Sequence, residues 1–324
     1  IYSGQVSTDE NDEGKVITVS YQTSYASDDN WSGDVKRVVK KWDPLTKAFV
    51  TDDSWSAKNN VPGAASRSIK IAGSSNSGLV DFTWDNAGET TTVGTLAYYL
   101  DRDPENSNIA DGRAPQRLSY LRGDRSGEGS HNERPFRQRS GVLGDFYSST
   151  PAVVSGPRYL VNFSDQLEGN QAYSTFAQKI KQRQSRVYVG GNDGMLHAFD
   201  VEDGTELFAF VPQAVIANLP ILTASDYGEE NGTEHQYFVD GTPVVKDVYF
   251  DGDWHKVLLG SLGAGGRSIF ALDITDPNAP ELLWEFTSDD DADLGYTVPK
   301  PNIARLHNGK WVALVPNGYE SGNS

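Results

Sequence analysis

The sequence predicts an all-β fold, a β-propeller, on three observations. Arg186–Pro212 reads strand, glycine turn, strand ending in Asp, polar turn, strand, and Lys256–Thr287 reads the same way. The copies also match in detail: Val187-Tyr188-Val189-Gly190 answers Val257-Leu258-Leu259-Gly260, and Ala198-Phe199-Asp200 answers Ala271-Leu272-Asp273. Each copy follows the same opening, a turn, a Pro and an apolar strand: Ser149-Thr150-Pro151-Ala152-Val153-Val154 and Gly241-Thr242-Pro243-Val244-Val245. A supersecondary unit recurring at long period belongs to an array whose neighbours bury each other's faces.

Taken in order, residues 1–15 are polar and acidic and read as a tail or linker, with the propeller domain over 16–324. Val16–Tyr25 is β-branched and aromatic and mostly alternates, so it reads as a strand. A turn at Asp28-Asp29-Asn30 leads to a strand at Val35–Trp42, with further strands at Arg67–Ile71 and Leu79–Trp84. Thr92–Tyr99 reads as a short helix or a strand, with helix the preferred reading. Residues 101–140 are charged and rich in Gly, Pro and Asn, and read as long surface loops around a short Leu118–Leu121 element. Gln166–Gln184 reads as another surface excursion.

The second copy supplies four strands in a row: Pro243–Phe250, His255–Leu262, Ser268–Ile274 and Glu281–Thr287. Four antiparallel strands with tight turns make one propeller blade. The turns suit this, with Asp251-Gly252-Asp253, glycines 263, 265 and 266, and Asp276-Pro277-Asn278. A third unit opens at Pro301 with strands at Asn302–Leu306 and Trp311–Pro316, so the chain is expected to end inside a blade.

Composition narrows the function. A net charge of −17 over 324 residues argues against nucleic acid or an anionic membrane as a direct partner, since both call for basic surface. Mean hydropathy is −0.52 and no apolar run approaches the length of a membrane-spanning helix. The absence of Cys excludes disulfides, cysteine nucleophiles and thiolate metal sites. No signal peptide is visible at Ile1-Tyr2-Ser3-Gly4, and the chain reads as a fragment.

Across some 300 residues the ordered segments resemble the propeller domain of PilY-type proteins, bacterial type IV pilus tip-associated adhesin and assembly factors. The resemblance rests on Asp29–Asp34 with Trp42, Trp55-Ser56-Ala57, Arg67-Ser68-Ile69 and Phe82-Thr83-Trp84 at the front. It continues through Tyr120–Arg125, Phe136–Arg139, Leu143–Phe146, the VYVGGNDGMLHAFD run, Phe238–Pro243, the GSLGAGGRSIFALDITDP run, Asp293–Thr297 and PNGYES. It implies a modified seven-bladed, quinoprotein-like propeller, incomplete in this chain, at the C-terminal end of a larger exported protein. It further implies extracellular placement at the pilus tip, minor pilins and a host or abiotic surface receptor as partners, and a calcium-binding EF-hand-like loop in a late blade. That loop is not found in this chain.

Two candidate sites arise from the residues. Asp289, Asp291 and Asp293 copy the one-three-five spacing of an EF-hand, but Leu294 stands where Gly is needed and Lys300 where a bidentate Glu is needed. A solvated acidic turn accounts for them. Asp28, Asp29 and Asp34 beside Trp31 read as turn and capping residues. Arg122, Gly123 and Asp124 form an RGD tripeptide, the adhesion candidate, weighed against a structural role in the loop.

Enzymatic chemistry finds little support. The five His residues show no zinc spacing, and His197 alternates on a strand as a packed or hydrogen-bonded residue. Gly263–Ser268 lacks a Walker lysine, and its glycines read as permitting positive φ. The rival function is a quinoprotein dehydrogenase binding pyrroloquinoline quinone and calcium on the axis. Against it stand the absence of Cys and arginines clustered in 113–139 instead of once per blade. An outer-membrane assembly scaffold is a third class. The expected function is a non-enzymatic pilus tip or surface adhesin supporting pilus assembly, attachment and twitching motility.

Overall fold

The computed structural model describes residues 3–10, 16–74, 78–88, 94–129, 135–169 and 172–321. Strands dominate, arranged in separate sheets that do not close into a ring.

The first sheet is an antiparallel meander of β1 (Ser3–Glu10), β2 (Val16–Ala26), β3 (Ser32–Asp43) and β4 (Ala48–Ser56). β1 corrects the reading of a tail: it pairs with β2 from Ser3↔Thr23 to Glu10↔Val16. A polar edge strand needs only one ladder partner, and charge on it discourages further pairing. β4 carries Asp52 and Asp53 and gave no apolar alternation, yet it pairs through cross-strand charges. Arg37 meets Asp53 at 2.8 Å, and Lys41 meets Asp52.

The central sheet holds β5 (Ile69–Ala72), β6 (Leu79–Asp81), β9 (Ala152–Val154), β10 (Arg186–Gly190), β11 (Leu196–Asp200) and β12 (Glu206–Phe210). Short β7 (Glu128–Gly129) and β8 (Phe136–Arg137) pair apart from it. Strands β9 to β12 are the antiparallel blade that the first copy predicts. β5 then joins β12 in parallel, with Ala209↔Ile69 and Phe210↔Lys70, so the sheet grows to six strands.

The second blade is β13 (Val244–Phe250), β14 (Asp253–Ser261), β15 (Ser268–Asp273) and β16 (Glu281–Thr287), all antiparallel, as expected. Asp251 and Gly252 both take positive φ (49° and 87°), the two-residue turn that an Asp-Gly hairpin favours. A hairpin of β17 (Asn302–Arg305) and β18 (Trp311–Leu314) follows.

The repeat extends to its irregularities. The register slips between Ala198 and Phe199 in the first blade and between Ala271 and Leu272 in the second, at matching positions. The two openings also lie side by side: Thr150 N donates to Thr242 Oγ1 at 3.0 Å, and Ser149 Oγ to Gly241 O at 3.0 Å. Neighbouring blades are therefore stitched at equivalent points.

Segment 238–241 runs between the blades at van der Waals contact. A Cβ on Gly190 would sit 2.2 Å from Val239 O, and one on Gly265 would sit 1.9 Å from Phe238 O. Gly265 is thus required for clearance and not for a positive φ; Gly263, at φ 60°, serves that second purpose.

The two regions read as surface excursions are partly interior. The helix expected near 92–99 is α1 (Leu96–Leu100), and α2 spans Ala114–Leu121. Leu96, Leu100, Leu118 and Leu121 pack with Phe208, Phe210 and Leu219 in the main core. Gln213–Thr223 forms a long 3-10 segment on the same layer. In the later insert, α3 (Val161–Ser164) is exposed at Phe163, whereas α4 (Tyr173–Ile180) buries Tyr173, Phe176 and Ile180 against Trp254. The short apolar spacing in α4 was hidden by its polar flanks.

Candidate functional site

Buried ionic and polar groups run from the chain just before β5, through β12 and β11, to the segment between the blades. Arg67, just before β5, sends Nε and Nη2 to the two oxygens of Glu206 at 2.6 and 2.8 Å, and both side chains are buried. Glu206 Oε1 lies 2.8 Å from His197 Nδ1, and His197 Nε2 lies 3.0 Å from Asp193 Oδ1. Asp193 Oδ2 accepts from Gly144 N at 3.1 Å. Burial opposes the imidazolium, but Asp193 and Glu206 outweigh it and raise the His197 pKa to about 9. Burial likewise raises Glu206, and Arg67 and His197 overcome it, holding the carboxyl at about 2. Two cations and two carboxylates therefore balance inside the fold. Both ring nitrogens of His197 are occupied, which leaves no free nitrogen for proton transfer.

A second branch starts from Asp145. Its Oδ2 accepts from Asn192 Nδ2 at 2.7 Å, and its Oδ1 lies 2.8 Å from His235 Nε2. Asn192 Oδ1 in turn accepts from Phe238 N at 3.0 Å, on the segment between the blades. The Trp31 ring stacks on His235 at 3.7 Å from a left-handed backbone at φ 52°. A bulky residue in that conformation is an outlier that its surroundings must hold. Here Arg137 Nη1 clamps the preceding Asn30 carbonyl at 3.1 Å.

Of the sequence candidates, only Arg122 borders this network, its carbonyl accepting from Arg67 Nη1 at 3.1 Å. The Arg122 guanidinium donates to the carbonyls of Phe82, Ala64 and Arg67 at 2.9, 2.8 and 3.0 Å. Gly123 takes φ 110°, and Asp124 Oδ1 accepts from Ser126 N at 2.8 Å. The tripeptide consequently does not offer both charged ends to a partner: its Arg is turned inward. Asp289 and Asp291 are exposed; Asp291 Oδ1 accepts from Asp293 N at 3.0 Å, and the adjacent Asp290 caps Thr287 N. Among the described residues no cluster of three or more His, Asp or Glu is set to hold a metal. The donor set at 289–293 does not fit calcium. Asp34 accepts from Ser56 Oγ and Lys58 N, and Asp29 from Ser32 Oγ, as turn and capping residues do.

The outer surface carries an apolar groove of about 350 Å³ between the second blade and the β17–β18 hairpin. Phe250, Leu259, Trp284, Ile303 and Trp311 line it, and Trp284 is 38% exposed.

Residues 143–324 match the PilY1 beta-propeller domain model. The chain belongs to the PilY1 family. The type IV pilus biogenesis factor PilY1 of Pseudomonas aeruginosa strain PAK is 48% identical over 322 residues, 98% of this chain and 26% of that protein. A PilY1 homolog of Xylella fastidiosa is 39% identical over 304 residues, 94% of this chain and 22% of that protein. The crystal structure of the Pseudomonas aeruginosa PilY1 C-terminal domain shares 51% identity, covering 53% of this chain and 32% of that one, with a TM-score of 0.45. The chain spans about a quarter of the length of these PilY1 relatives. The PilY1 β-propeller assignment agrees with the fold and the family expected from the sequence.

Sequence reasoning passed over Arg67, Glu206, Asp193 and Asp145 as a unit. One signal was present: Glu206 alternates in phase with Phe208 and Phe210, which puts a charge on a core-facing position. A buried charge at such a place calls for a partner.

Proposed function

We propose that this chain is the propeller platform of a non-enzymatic type IV pilus tip and surface adhesin that also supports pilus assembly, attachment and twitching motility. The observation that carries the reading is kinship with type IV pilus biogenesis factors along nearly the whole chain. The longer parent protein would be exported through the periplasm and displayed at the pilus tip, with minor pilins as protein partners. Calcium control would reside in parts of the parent outside this chain, because the acidic turn at 289–293 lacks a suitable donor set.

The geometry supports a mount more than a reaction centre. Arginines that a quinone site would recruit are engaged elsewhere: Arg117 with Asp111, Arg122 with three carbonyls, Arg139 with Glu128. Interlocked blades resist shear by sharing hydrogen bonds and core. The open groove beside Trp284 is left for a partner or for a further part of the parent.

Deletion of the parent gene, complemented with a version lacking this region, tests the reading. Loss of surface piliation, twitching and attachment is expected, with no dye-linked alcohol oxidation and no quinone chromophore in the purified chain. Intact piliation with disturbed outer-membrane barrel insertion would favour an assembly scaffold. Calorimetric calcium binding by this chain at micromolar concentration would refute placement of the calcium site elsewhere.

A further inference from the structure

One buried ion pair has the makings of a covalent bond. Asp247 in β13 and Lys256 in β14 are direct cross-strand partners, and their side chains are essentially inaccessible to solvent. Lys256 Nζ lies 2.6 Å from Asp247 Oδ1. The other carboxylate oxygen, Oδ2, accepts from the Tyr173 hydroxyl at 2.5 Å and from Arg158 N at 2.9 Å. Around the pair stand the rings of Tyr173 and Trp254, whose centroids are 4.9 Å apart. Nucleophile, acyl carbon and two donors for a developing oxyanion are therefore assembled in a dry pocket. No other network described above has this combination.

We propose that Lys256 and Asp247 condense into an intramolecular amide, a covalent tie between β13 and β14. The step needs no external reactant. A proton passes from the Lys256 ammonium to Asp247 Oδ1, giving a neutral amine and a carboxylic acid. The Nζ lone pair attacks Cγ, and the charge that develops on Oδ2 is stabilised by the Tyr173 O–H and the Arg158 N–H. Nitrogen then gives up a proton to the Oδ1 hydroxyl, which departs as water. One C–N bond forms, one C–O bond breaks, and no electrons leave the pair.

Three physical factors favour this. Burial pulls the Lys256 pKa below the ordinary lysine range, against the pull of Asp247, which raises the share of nucleophilic amine. Holding amine and acyl carbon together gives effective molarities of about 10⁵–10⁸ M in well-oriented systems. Condensation also replaces two desolvated charges, a costly arrangement, with one neutral amide. The absence of Cys leaves the chain no disulfide with which to staple its strands.

Intact mass spectrometry of the purified, denatured 324-residue chain tests the bond. The expected mass is one water, about 18 Da, below that of the sequence, with a branched 256–247 peptide after digestion and no tryptic cleavage at Lys256. Asp247→Asn is expected to lose ammonia instead, about 17 Da, and Lys256→Arg to run at full mass. Tyr173→Phe, which removes one oxyanion donor, is expected to leave most of the chain unreacted. A wild-type chain at full mass overturns the proposal whether or not the variants fold. So does a water loss that persists in Lys256→Arg, or that maps to a succinimide at an Asp-Gly pair such as Asp251-Gly252.

Discussion

The two complete blades start from one sequence pattern and reach different states of self-sufficiency. The second is built from one run of chain, Val244 to Thr287, and each of its strands pairs with its sequence neighbour. The first has the same four antiparallel strands but borrows β5 and β6, which lie more than a hundred residues upstream of β12, the strand β5 joins. Their buried charges follow suit. In the second blade Lys256 meets Asp247 nine residues away on the adjacent strand. In the first, Glu206 is balanced by Arg67 from 139 residues away. A repeat thus fixes local pairing, whereas the charges inside each copy record what packs against it.

The comparison is broken most forcefully at Arg67. Arg67→Ala strands Glu206 and disturbs His197 while removing the bonds to β12, and is expected to destabilise the chain by about 3–5 kcal/mol in chemical denaturation. Loss of that size should free β5 and β6 from β12 before the second blade unfolds, read as two transitions. A single unchanged transition would show the network to be dispensable.

Trp254→Ala tests the second blade's own support. It empties the ring cluster with Tyr173 and Phe176 and should cost about 3 kcal/mol. Protection of amides in α4 should fall with little change in β10–β12 by hydrogen exchange.

A pH series sharpens the difference further. His197 has a folded pKa raised from 6.5 to about 9, so its contribution is full below pH 6.5 and is lost as pH rises through about 9. Glu206, lowered from 4.5 to about 2, contributes fully above pH 4.5 and loses it as pH falls through about 2. The gap in unfolding free energy between the wild type and His197→Gln, from chemical denaturation, should therefore be widest near pH 5–6, at about 1–3 kcal/mol, and narrow above pH 9. A pH-independent gap would mean that His197 is held neutral.

The smallest effect has the opposite sign. Glu285 Oε2 accepts from Gln213 N at 2.8 Å, while Oε1 is buried without a partner among the described residues. Burial pushes its carboxyl up to about 7, against the Gln213 bond. Its stabilising contribution is present below pH 4.5 and is lost as pH rises through about 7. Glu285→Gln should raise the melting temperature slightly at pH 8 and leave it nearly unchanged at pH 4.

Much of the fold was legible because alternation and turn chemistry act locally. The four strands of the second blade, its Asp-Gly hairpin and the repeated Ala-Phe-Asp and Ala-Leu-Asp corners all follow from neighbours in sequence. β4 was not legible, since Thr51-Asp52-Asp53 carries no apolar period and is held by Lys41 and Arg37 on another strand. The same holds for the polar stretches around α2 and α4, whose few apolar residues gain meaning only once a core faces them. Of the candidate sites, Arg122 shows why a tripeptide is a poor guide: its three carbonyl acceptors lie 40 to 58 residues away. For Asp289, Asp291 and Asp293 the relevant pattern is local: the one-three-five carboxylates are there, while Leu294 and Lys300 stand where an EF-hand has Gly and Glu.

The parallel junction of β5 with β12 also sets a clock. A ribosome makes Ile69 long before Ala209, its partner in the sheet. For that interval β5 is paired only with β6 and its other edge is bare, and such an edge invites the wrong strand. A chaperone that shields this one edge until Glu206–Phe210 is made would spare the first blade a mispairing to which the second, built from one run of chain, is not exposed.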